Sequence, residues 1–472
     1  MLYLLCALVP LGLALGQSVA PAAGWEHAAA ALGLVALAGM AVQFVTSGRF
    51  EAASGQLGID KIMGFHKIAA WWLLLGVLAH PLLYVLPTWL ADPALARIRL
   101  EFYLTDPAYR SGVVALGALL VLVLTSALRE RLPFPYEVWR GAHVVLALVA
   151  VIGGLHHAIA VGRFSAEGMV AGFWWALGAG VVAVMATLYG WRWWHLHRHP
   201  WRLEALTKRA DRMWELDITP QLGTPPLPYH AGQFVWMTDR DRRFPLMDHP
   251  FSIADSPERP GLSLLIKESG DYTNQIGKLP EGCTIGIDGP YGEFTLEAHD
   301  PQAVLLIGGG VGIAPILGIL RDMAARGDKR PVRLAYAVGQ PQNFACLDEI
   351  RAIAASAGLN LRLWLLTEDA PAGPDMAPDM TRGRLTPDRL REMLNGLDPT
   401  QTKAMMCGPG PMVVAVSDAL LDLGLPMGNI IYERFDYAGG TRSRQDRART
   451  RAFVSVGAVL GLFVAGFAAL AG

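Results

Sequence analysis

The stretch HKIAAWWLLLGVLAH, residues 66–80, has an apolar interior suited to a membrane and a histidine at each end. At about 100° and 1.5 Å per residue, a helix brings His66 and His80 within about 40° of one face and about 21 Å apart along its axis. One helix can therefore present one imidazole near each leaflet of a bilayer. Because ionisable side chains at membrane depth are costly, the pattern predicts a functional role for both histidines.

The composition indicates a membrane part joined to a soluble part. Of the 472 residues, 53% are hydrophobic and 17% are charged, and the mean hydropathy is +0.32. A formal net charge of -1 without a basic stripe argues against a nucleic-acid partner. The four cysteines have no CxxC or zinc spacing, which argues against disulfides and iron–sulfur ligation. We therefore expect a mixed architecture with a membrane part and a soluble part.

Seven apolar runs have the length of a membrane span, about 20 residues. Lys and Arg in the connections predict a multi-pass protein of the inner membrane with a cytoplasmic N-terminus and a cytoplasmic soluble half. The external loop at 89–110 departs from this rule because it contains arginines. The first run could also be a cleaved signal peptide, and the last resembles a tail anchor that attaches the soluble half at a second point. The runs are 1–19, 28–46, 68–88, 111–128, 142–161, 170–190 and 452–471.

The third and fifth runs contain five histidines and cross the membrane in the same direction. His66 is then level with His143 on the cytoplasmic side. His80 is level with His156 or His157 on the outer side. Pairs of imidazoles on facing helices suit two stacked, six-coordinate b-type haems, whereas zinc needs a third or fourth ligand at each level. The pattern favours two haems.

The choice within the His156–His157 doublet stays open at the level of sequence. His157 has the same spacing from His143 as His80 has from His66, whereas His156 points about 140° away on a regular helix. Glycines at 153 and 154 could permit a local distortion that turns His156 inward. Both histidines are therefore candidate ligands.

The soluble half divides into two patterns. Residues 201–298 contain short alternating stretches such as HAGQFVWM, which predict a small antiparallel barrel. From about 301, apolar strands alternate with helical stretches, as in an α/β nucleotide-binding domain. The run GGGVG lies between the strand VLLI and a helix, where backbone N–H groups can approach a pyrophosphate. We expect domains at 1–198, 199–298 and 299–437, followed by a basic linker and a C-terminal membrane helix at 438–472.

Five soluble motifs in this order resemble the flavin and nicotinamide modules of the ferredoxin–NADP reductase superfamily. Preceded by paired membrane histidines, they resemble the prokaryotic NADPH oxidase and ferric reductase superfamily. The resemblance implies a six-helix transmembrane haem-binding bundle, an FAD-binding antiparallel β-barrel, an α/β nucleotide-binding domain and a C-terminal transmembrane helix. The motifs are HPFSIADSP at 249–257, GDYTNQIG at 270–277, DGPYGEF at 288–294, GGGVGIAP at 308–315 and CGPGPM at 407–412.

The resemblance also implies roles for residues of the flavin domain. Ser252 would place its hydroxyl near flavin N5, and the neighbouring Pro250 and Phe251 would line the cofactor. His249 and Thr273 would help to hold the FAD phosphates. Gly270 would let the chain turn close to the cofactor. The expected cofactor of this domain is FAD.

The nicotinamide domain is expected to bind NADPH or NADH. By resemblance, Gly309, Gly310, Gly312 and Pro315 would shape the pyrophosphate loop. Cys407, Gly408 and Pro409 would lie beside the nicotinamide, and Phe435 or Tyr437 would stack on the flavin until the nicotinamide displaces it. These assignments make Ser252, Cys407, Phe435 and Tyr437 the candidate catalytic residues.

The implied activity is an NAD(P)H oxidase that reduces oxygen to superoxide on the outer face. A ferric or cupric reductase with the same cofactors is the nearest alternative, and an electron donor to quinone or to a periplasmic partner is another. No calcium-binding loop and no regulatory subunit is evident in the sequence.

Two departures from the family pattern concern the acceptor and the dinucleotide. Animal oxidases have a histidine one turn beyond the outer ligand where this chain has Tyr84, and an arginine near 25–27, where this chain has WEH. They also carry an arginine for the 2′-phosphate after the second nucleotide-domain strand, where this chain has Gly339 and Gln340. NADH is therefore a possible donor, and Arg384 is the remaining candidate phosphate partner.

Overall fold

The computed structural model describes residues 2–17, 19, 22–47, 59–166, 168–239, 244–297, 300–356, 358–369, 377–434 and 442–471. The chain divides into two compact units. The first combines Met1–Ser54, Lys61–Gly190 and Arg449–Gly472. The second combines Gly55–Asp60 with Trp191–Ala448.

The first unit is a bundle of apolar helices. Within the described residues, six helices are long and apolar enough to cross a membrane, and they correspond to the second to seventh predicted spans. This part of the chain therefore has the helices of a multi-pass membrane protein. Its helices are α1 (Leu2–Leu15), α2 (Gly24–Val42), α3 (Ile59–Ala91), α4 (Pro93–Thr105), α5 (Arg110–Ala127), α6 (Tyr136–Val161), α7 (Gly168–Met185) and the final helix of the chain, α13 (Arg444–Ala471).

The first predicted span is shorter in the structure than the sequence suggested. Helix α1 has 14 residues, which makes it about 21 Å long, against a hydrocarbon core of about 30 Å. Gly16 and Gln17 follow it in a turn and a bend. Ala7, Leu11 and Ala14 are buried in the bundle, so α1 is a packed apolar helix rather than a span of full length.

The predicted loop at 89–110 is largely helical. The Asp92 carboxylate caps α4 by accepting hydrogen bonds from the N–H groups of Ala94 and Leu95 at 3.0 and 3.1 Å. Pro93 occupies the first helical position, where it costs no hydrogen bond. Ala96 is the one residue of α4 that is buried. A short, mostly exposed helix with several charges lacks the apolar periodicity by which helices are recognised in sequence.

The final helix packs against α3 inside the first unit. The ring centroids of Phe453 and Phe65 are 5.4 Å apart. A Cβ atom at Gly457 would lie 2.5 Å from the indole of Trp72, so the two helices are in close contact there. The predicted C-terminal apolar helix is therefore present, and its apolar part belongs to the bundle.

The second unit begins with a short helix, α8 (Arg192–Arg198), and a six-stranded antiparallel sheet. The strand order is β4-β3-β6-β1-β2-β5, and a bridge between Ile253 and Leu264 joins the two edges. Leu203, Leu216, Val235 and Met237 are among the side chains that fill its interior. The strands are β1 (Trp201–Ala210), β2 (Met213–Pro220), β3 (Phe234–Asp239), β4 (His249–Ser252), β5 (Leu262–Lys267) and β6 (Thr284–Tyr291).

A parallel sheet with helices follows, in the strand order β10-β9-β8-β7-β11-β12. The chain moves outward from β7 to β10 and then returns to the other side of β7, so the order reverses beside the end of β7. This switch point is where open α/β sheets bind ligands. The elements are β7 (Ala303–Gly309), α9 (Ile313–Arg326), β8 (Val332–Val338), α10 (Leu347–Ala355), β9 (Leu361–Thr367), β10 (Met380–Arg382), α11 (Pro387–Leu394), β11 (Thr402–Gly408), α12 (Gly410–Asp422) and β12 (Ile430–Arg434).

A buried arginine of α9 joins the two sheets of the second unit. The Arg321 guanidinium donates to Glu215 of β2 at 2.8 Å and to the carboxylate of Glu349 of α10 at 2.7 Å through two nitrogens. Burial alone would raise the pKa of the Glu349 carboxyl, but the hydrogen bonds and charge of Arg321 lower it. Burial raises the pKa of the adjacent Cys346 thiol to about 12, so this cysteine is an inert part of the junction.

Candidate functional site

Four histidines of α3 and α6 form two facing pairs in the first unit. The ring centroids of His66 and His143 are 6.4 Å apart, and those of His80 and His157 are also 6.4 Å apart. Two imidazoles on opposite sides of one metal ion have centroids about 6.3 Å apart when the metal–nitrogen bonds are about 2.1 Å, whereas tetrahedral ligands have centroids about 5 Å apart. Both pairs therefore have a spacing at which one metal ion would fit between the two rings.

Hydrogen bonds fix the tautomer of one histidine in each pair. His80 Nδ1 lies 2.7 Å from the carbonyl oxygen of Ala29, so Nδ1 is the donor. His143 Nδ1 lies 3.1 Å from the Ser126 hydroxyl, whose own proton goes to the carbonyl of Leu122 at 2.7 Å. Ser126 therefore accepts from His143 Nδ1. In both rings Nε2 keeps its lone pair, which is the state that a metal ligand requires.

Two glycines make room for the outer pair. A Cβ atom at Gly33 of α2 would lie 3.0 Å from the His80 ring. A Cβ atom at Gly112 of α5 would lie 2.6 Å from Nδ1 of His157. Neither glycine was singled out in the sequence, because contacts between separate helices leave no periodic pattern within one helix.

The two histidines of the doublet point in different directions. His157 faces His80, whereas His156 is exposed and its Nδ1 lies 2.9 Å from the Ser111 hydroxyl. Helix α6 runs without interruption through both residues. Gly153 therefore does not distort α6 to turn His156 inward. A Cβ atom at Gly153 would lie 3.0 Å from the carbonyl oxygen of Ser111, so this glycine allows α5 to pack closely on α6.

The other ring of each pair has a nitrogen without a partner. The Nδ1 atoms of His66 and His157 are buried and have no hydrogen-bond partner within the described ranges. The described residues therefore do not fix the tautomer of these two rings, and Nε2 can carry the lone pair there as well. Nowhere in the described part of the chain do three or more His, Cys, Asp or Glu side chains converge to hold one metal ion, as zinc requires. The residues of each pair would therefore fit a metal ion that takes two ligands from the protein.

The candidate flavin residues lie together on β4 of the antiparallel sheet. His249, Pro250, Phe251 and Ser252 are its four residues and pair with β3. The His249 ring stacks on Tyr272 with centroids 3.9 Å apart, and Phe251 lies 6.3 Å from the same ring at an angle of 25°. Ser252 is buried at the end of the strand. This wall of stacked rings suits a flat aromatic cofactor.

Thr273 and Gly270 form a local turn beside that wall. The Thr273 hydroxyl accepts hydrogen bonds from the N–H groups of Ser269 and Gly270, both at 2.9 Å. It therefore organises the backbone that precedes the short helix Thr273–Lys278. No side chain lies within 4 Å of the position of a Cβ atom at Gly270, so the turn is open on that side.

The glycine loop and the CGPGPM motif meet at the end of β7. Cys407 of β11 pairs in register with Gly308 of β7 and is fully buried. A Cβ atom at Gly312 would lie 2.1 Å from the carbonyl oxygen of Cys407, so only glycine allows this approach. Pro315 lies in the first turn of α9. Gly309 likewise contacts Met412 and Pro409, which precedes α12.

The remaining predicted residues differ in their surroundings. Arg384 is 80% exposed and forms an ion pair with Glu368 at 2.9 Å. Gly408 ends β11 beside Gly309, where a Cβ atom would lie 3.0 Å from the Gly309 Cα. Phe435 and Tyr437 lie outside the described residues.

A buried polar cluster in the DGPYGEF motif was not assigned a role from sequence. Arg192 of α8 donates to the Tyr291 hydroxyl at 2.8 Å, and the Tyr291 hydroxyl donates to the carboxylate of Asp288 at 3.1 Å. Arg192 is itself 3.5 Å from Asp288. The cluster attaches α8 to β6. The DGPYGEF motif was recognised from the sequence. The burial of Arg192 was not predictable, because this residue lies in a basic stretch whose other members give no sign of it.

Three family models match successive parts of the chain. Residues 32–154 match the ferric reductase like transmembrane component. Residues 215–295 match an FAD-binding domain. Residues 306–418 match an oxidoreductase NAD-binding domain. The order agrees with the order of the motifs above.

Curated relatives are similar to part of the chain. The reductase component of propane 2-monooxygenase from Rhodococcus jostii is 30% identical over 194 residues, which are 39% of this chain and 50% of the relative. A flavohemoprotein from Bordetella pertussis is 28% identical over 251 residues, which are 51% of this chain and 61% of the relative. The chain thus spans about half to three-fifths of the length of these relatives.

Two solved structures are similar to parts of the chain. The Amycolatopsis cytochrome P450 reductase GcoB has a TM-score of 0.43 at 24% identity, covering 50% of this chain and 69% of that chain. The flavohemoglobin from Malassezia yamatoensis, determined with FAD and heme, has a TM-score of 0.46 at 19% identity and covers 74% of this chain and 92% of that chain.

Proposed function

We propose that this chain is a superoxide-producing NAD(P)H oxidase. It has the architecture of NADPH oxidases and ferric reductases, in which a ferric reductase-like transmembrane component is followed by FAD and NAD modules. As an NAD(P)H-dependent oxidoreductase it takes electrons from a reduced nicotinamide on the cytoplasmic side of the inner membrane. The proposed acceptor is oxygen on the outer side, with FAD and two b-type haems as cofactors.

The single observation that carries the two-haem proposal is the equal spacing of the two histidine pairs. The ring centroids of His66 and His143, and those of His80 and His157, are each 6.4 Å apart, a separation at which one metal ion would fit between two imidazoles. The hydrogen bonds at His80 and His143 leave Nε2 free to ligate, and they hold each ring in one orientation. We assign one haem to each pair and take His157, not His156, as the outer ligand.

The cofactors supply the chemistry of splitting a hydride into single electrons, since flavin exchanges one or two electrons and haem exchanges one. The residues of the chain position these groups. His249, Pro250, Phe251 and Ser252 of β4 would hold the FAD, with Ser252 near flavin N5 and His249 near the phosphates. The glycine loop, in which Gly312 lies close to the carbonyl oxygen of Cys407, would let backbone N–H groups receive the dinucleotide pyrophosphate.

The proposed ligation bears on the kind of acceptor. With two histidines holding each haem, neither haem would offer a free position to an acceptor, which would instead be reduced at the edge of the outer haem. This suits oxygen and equally suits a chelated ferric ion, so the choice of oxygen rests on the resemblance to NADPH oxidases.

A ferric or cupric reductase is the second candidate function. Tyr84 lies beside the outer pair, with its ring 5.5 Å from that of His80, at the position where the resemblance leads one to expect a histidine. In the oxidases that histidine is associated with the outer haem and oxygen, so the presence of Tyr84 in its place favours an acceptor other than oxygen. The two functions share every cofactor and differ only in the final step.

The test is anaerobic reduction of the purified protein, loaded with FAD and haem, by NADH and by NADPH. We expect haem absorbance to change to that of the reduced state with at least one dinucleotide. A variant with Ser252→Ala should slow this step and leave haem content unchanged, because Ser252 is assigned to the flavin. If neither dinucleotide reduces haem in the fully loaded protein, the proposed function is wrong.

A further inference from the structure

The end of the parallel sheet next to the pyrophosphate loop determines which dinucleotide can bind. In a nucleotide-binding sheet the adenosine ribose reaches the end of the strand that follows the glycine loop, which is β8 in this chain. A carboxylate there accepts a hydrogen bond from the ribose 2′-hydroxyl of NADH, whereas an arginine accommodates the 2′-phosphate of NADPH. Strand β8 ends at Val338 and is followed by Gly339 and Gln340, which provide neither group.

The neighbouring strand supplies the missing carboxylate. Strand β9 pairs with β8 and is followed by Glu368 and Asp369. The N–H of Asp369 donates to the carbonyl oxygen of Gly339 at 2.8 Å, and the Thr367 hydroxyl donates to the same oxygen at 3.1 Å. A Cβ atom at Gly339 would lie 3.9 Å from Oδ2 of Asp369. The Asp369 carboxylate therefore lies directly beside the end of β8.

Two arginines at this edge, Arg384 and Arg389, already have partners. Arg384 is held by Glu368 at 2.9 Å. Arg389 donates to the carbonyl oxygens of Arg384 and Arg382 at 2.7 and 2.9 Å. To bind a 2′-phosphate, Arg384 would have to leave Glu368, and the phosphate would then approach two carboxylates. Charge at this edge therefore opposes NADPH.

We propose that Asp369 binds the adenosine ribose and that Glu368 neutralises Arg384, so that NADH is the preferred electron donor. This inference rests on the proposed function, since it assumes that the sheet receives a reduced nicotinamide. Asp369 is then a specificity-determining residue provided by the third strand of the sheet in place of the second.

The experiment measures kcat/KM for NADH and NADPH with ferricyanide as acceptor, because this acceptor can take electrons at the flavin without the haems. We expect wild-type kcat/KM to be at least about tenfold higher with NADH, the ratio expected from one charge-assisted hydrogen bond. Asp369→Asn should raise KM for NADH with little change in kcat. Glu368→Gln should release Arg384 and lower KM for NADPH by about tenfold.

Glu392→Gln is the matched control, because Glu392 is an exposed carboxylate on α11. It should leave both KM values unchanged. Equal efficiency of the two dinucleotides in the wild type, or an unchanged NADH to NADPH ratio in both test variants, would overturn the inference while leaving the proposed function standing. Failure of the protein to oxidise either dinucleotide would instead overturn the proposed function itself.

Discussion

At the scale of single residues, the orientation of each imidazole decides which histidine can ligate. His157 faces His80 across the bundle, and His156 turns outward to Ser111. The difference follows from the rotation of about 100° between successive residues of a regular helix.

Replacing the two members of the doublet should therefore have different results. His157→Ala should reduce haem content from two to about one per chain, because it removes one of two axial ligands. His156→Ala is the matched variant and should retain both haems. The measurement is the ratio of haem to FAD in purified protein, and equal loss in the two variants would contradict the assignment.

The space around the outer pair gives a second residue-scale prediction. Gly112→Ala places a methyl group against the His157 ring, where the present contact would be 2.6 Å, so the ring must move and the outer haem should be lost or bound in a distorted geometry. Gly117→Ala on the same helix is the control, because no described residue outside its own stretch of helix has an atom within 4 Å of its Cβ position. The haem absorption and electron paramagnetic resonance spectra should change for Gly112→Ala and be unchanged for Gly117→Ala.

Sequence reasoning identified the histidines but not the groups that orient them. The spacing of His66 and His80 is visible within one helix. Gly33, Gly112 and Ser126 belong to other helices, and their contacts with histidine depend on how those helices pack. Such residues have no distinguishing feature in a single apolar run, so packing had to be known before their role could be assigned.

At the scale of elements, the attachment of α13 to β12 combines polar and charged contacts. The Asp446 carboxylate accepts a hydrogen bond from the Tyr432 hydroxyl at 2.5 Å and forms an ion pair with Arg434. Burial by itself would raise the pKa of Asp446, but these two partners and the N–H of Ser443 lower it. The first turn of α13 is therefore held to the parallel sheet by an ionised carboxylate.

A lowered pKa in the folded state gives the contact a defined pH dependence. Its stabilisation is fully present above the unfolded value of about 3.9 and is lost as the pH falls through the lower folded value. At pH near 7, Asp446→Asn should cost about 2 kcal/mol of unfolding free energy. The wild type and the variant should converge at acidic pH.

The measurement is denaturant unfolding at neutral and acidic pH, followed by tryptophan fluorescence. Asp388→Asn provides the control, since its side chain is 87% exposed and its ion pair with Arg391 lies at the surface, where such pairs contribute little. A difference between Asp446→Asn and the wild type that persists unchanged at acidic pH would contradict the role of the ionised carboxylate.

Most elements were predictable from the sequence, and the exceptions have physical causes. Apolar runs long enough for a bilayer gave the helices α2, α3, α5, α6, α7 and α13, and the motifs gave the strands around the two expected cofactor sites. Helix α4 was not predicted because its stability comes from the Asp92 cap and Pro93 rather than from an apolar face. The first span was predicted to be longer than α1 because an apolar sequence alone does not indicate where a turn ends a helix.

At the scale of the whole molecule, the final helix contains residues of both units. Its residues up to Ala448 lie in the second unit, and those from Arg449 onward lie in the first. Its first residues bond to β12, and its apolar part packs on α3 through Phe453 and Gly457. Deleting residues 440–472 should therefore slow electron transfer from flavin to haem. Ferricyanide reduction by NADH, which needs only the flavin, should continue in the deleted protein. Unchanged kinetics of haem reduction after the deletion would show that the helix has no such role.

The central claim is that electrons from a cytoplasmic dinucleotide leave the protein as superoxide on the outer side. The most direct measurement is reduction of external cytochrome c by the purified protein in closed vesicles, with FAD and haem bound, NADH or NADPH supplied, and superoxide dismutase added or omitted. The account predicts reduction that the dismutase suppresses and that is faster with NADH. Rapid haem reduction with no dismutase-sensitive component would contradict oxygen as the acceptor and favour a metal chelate, a quinone or a partner protein.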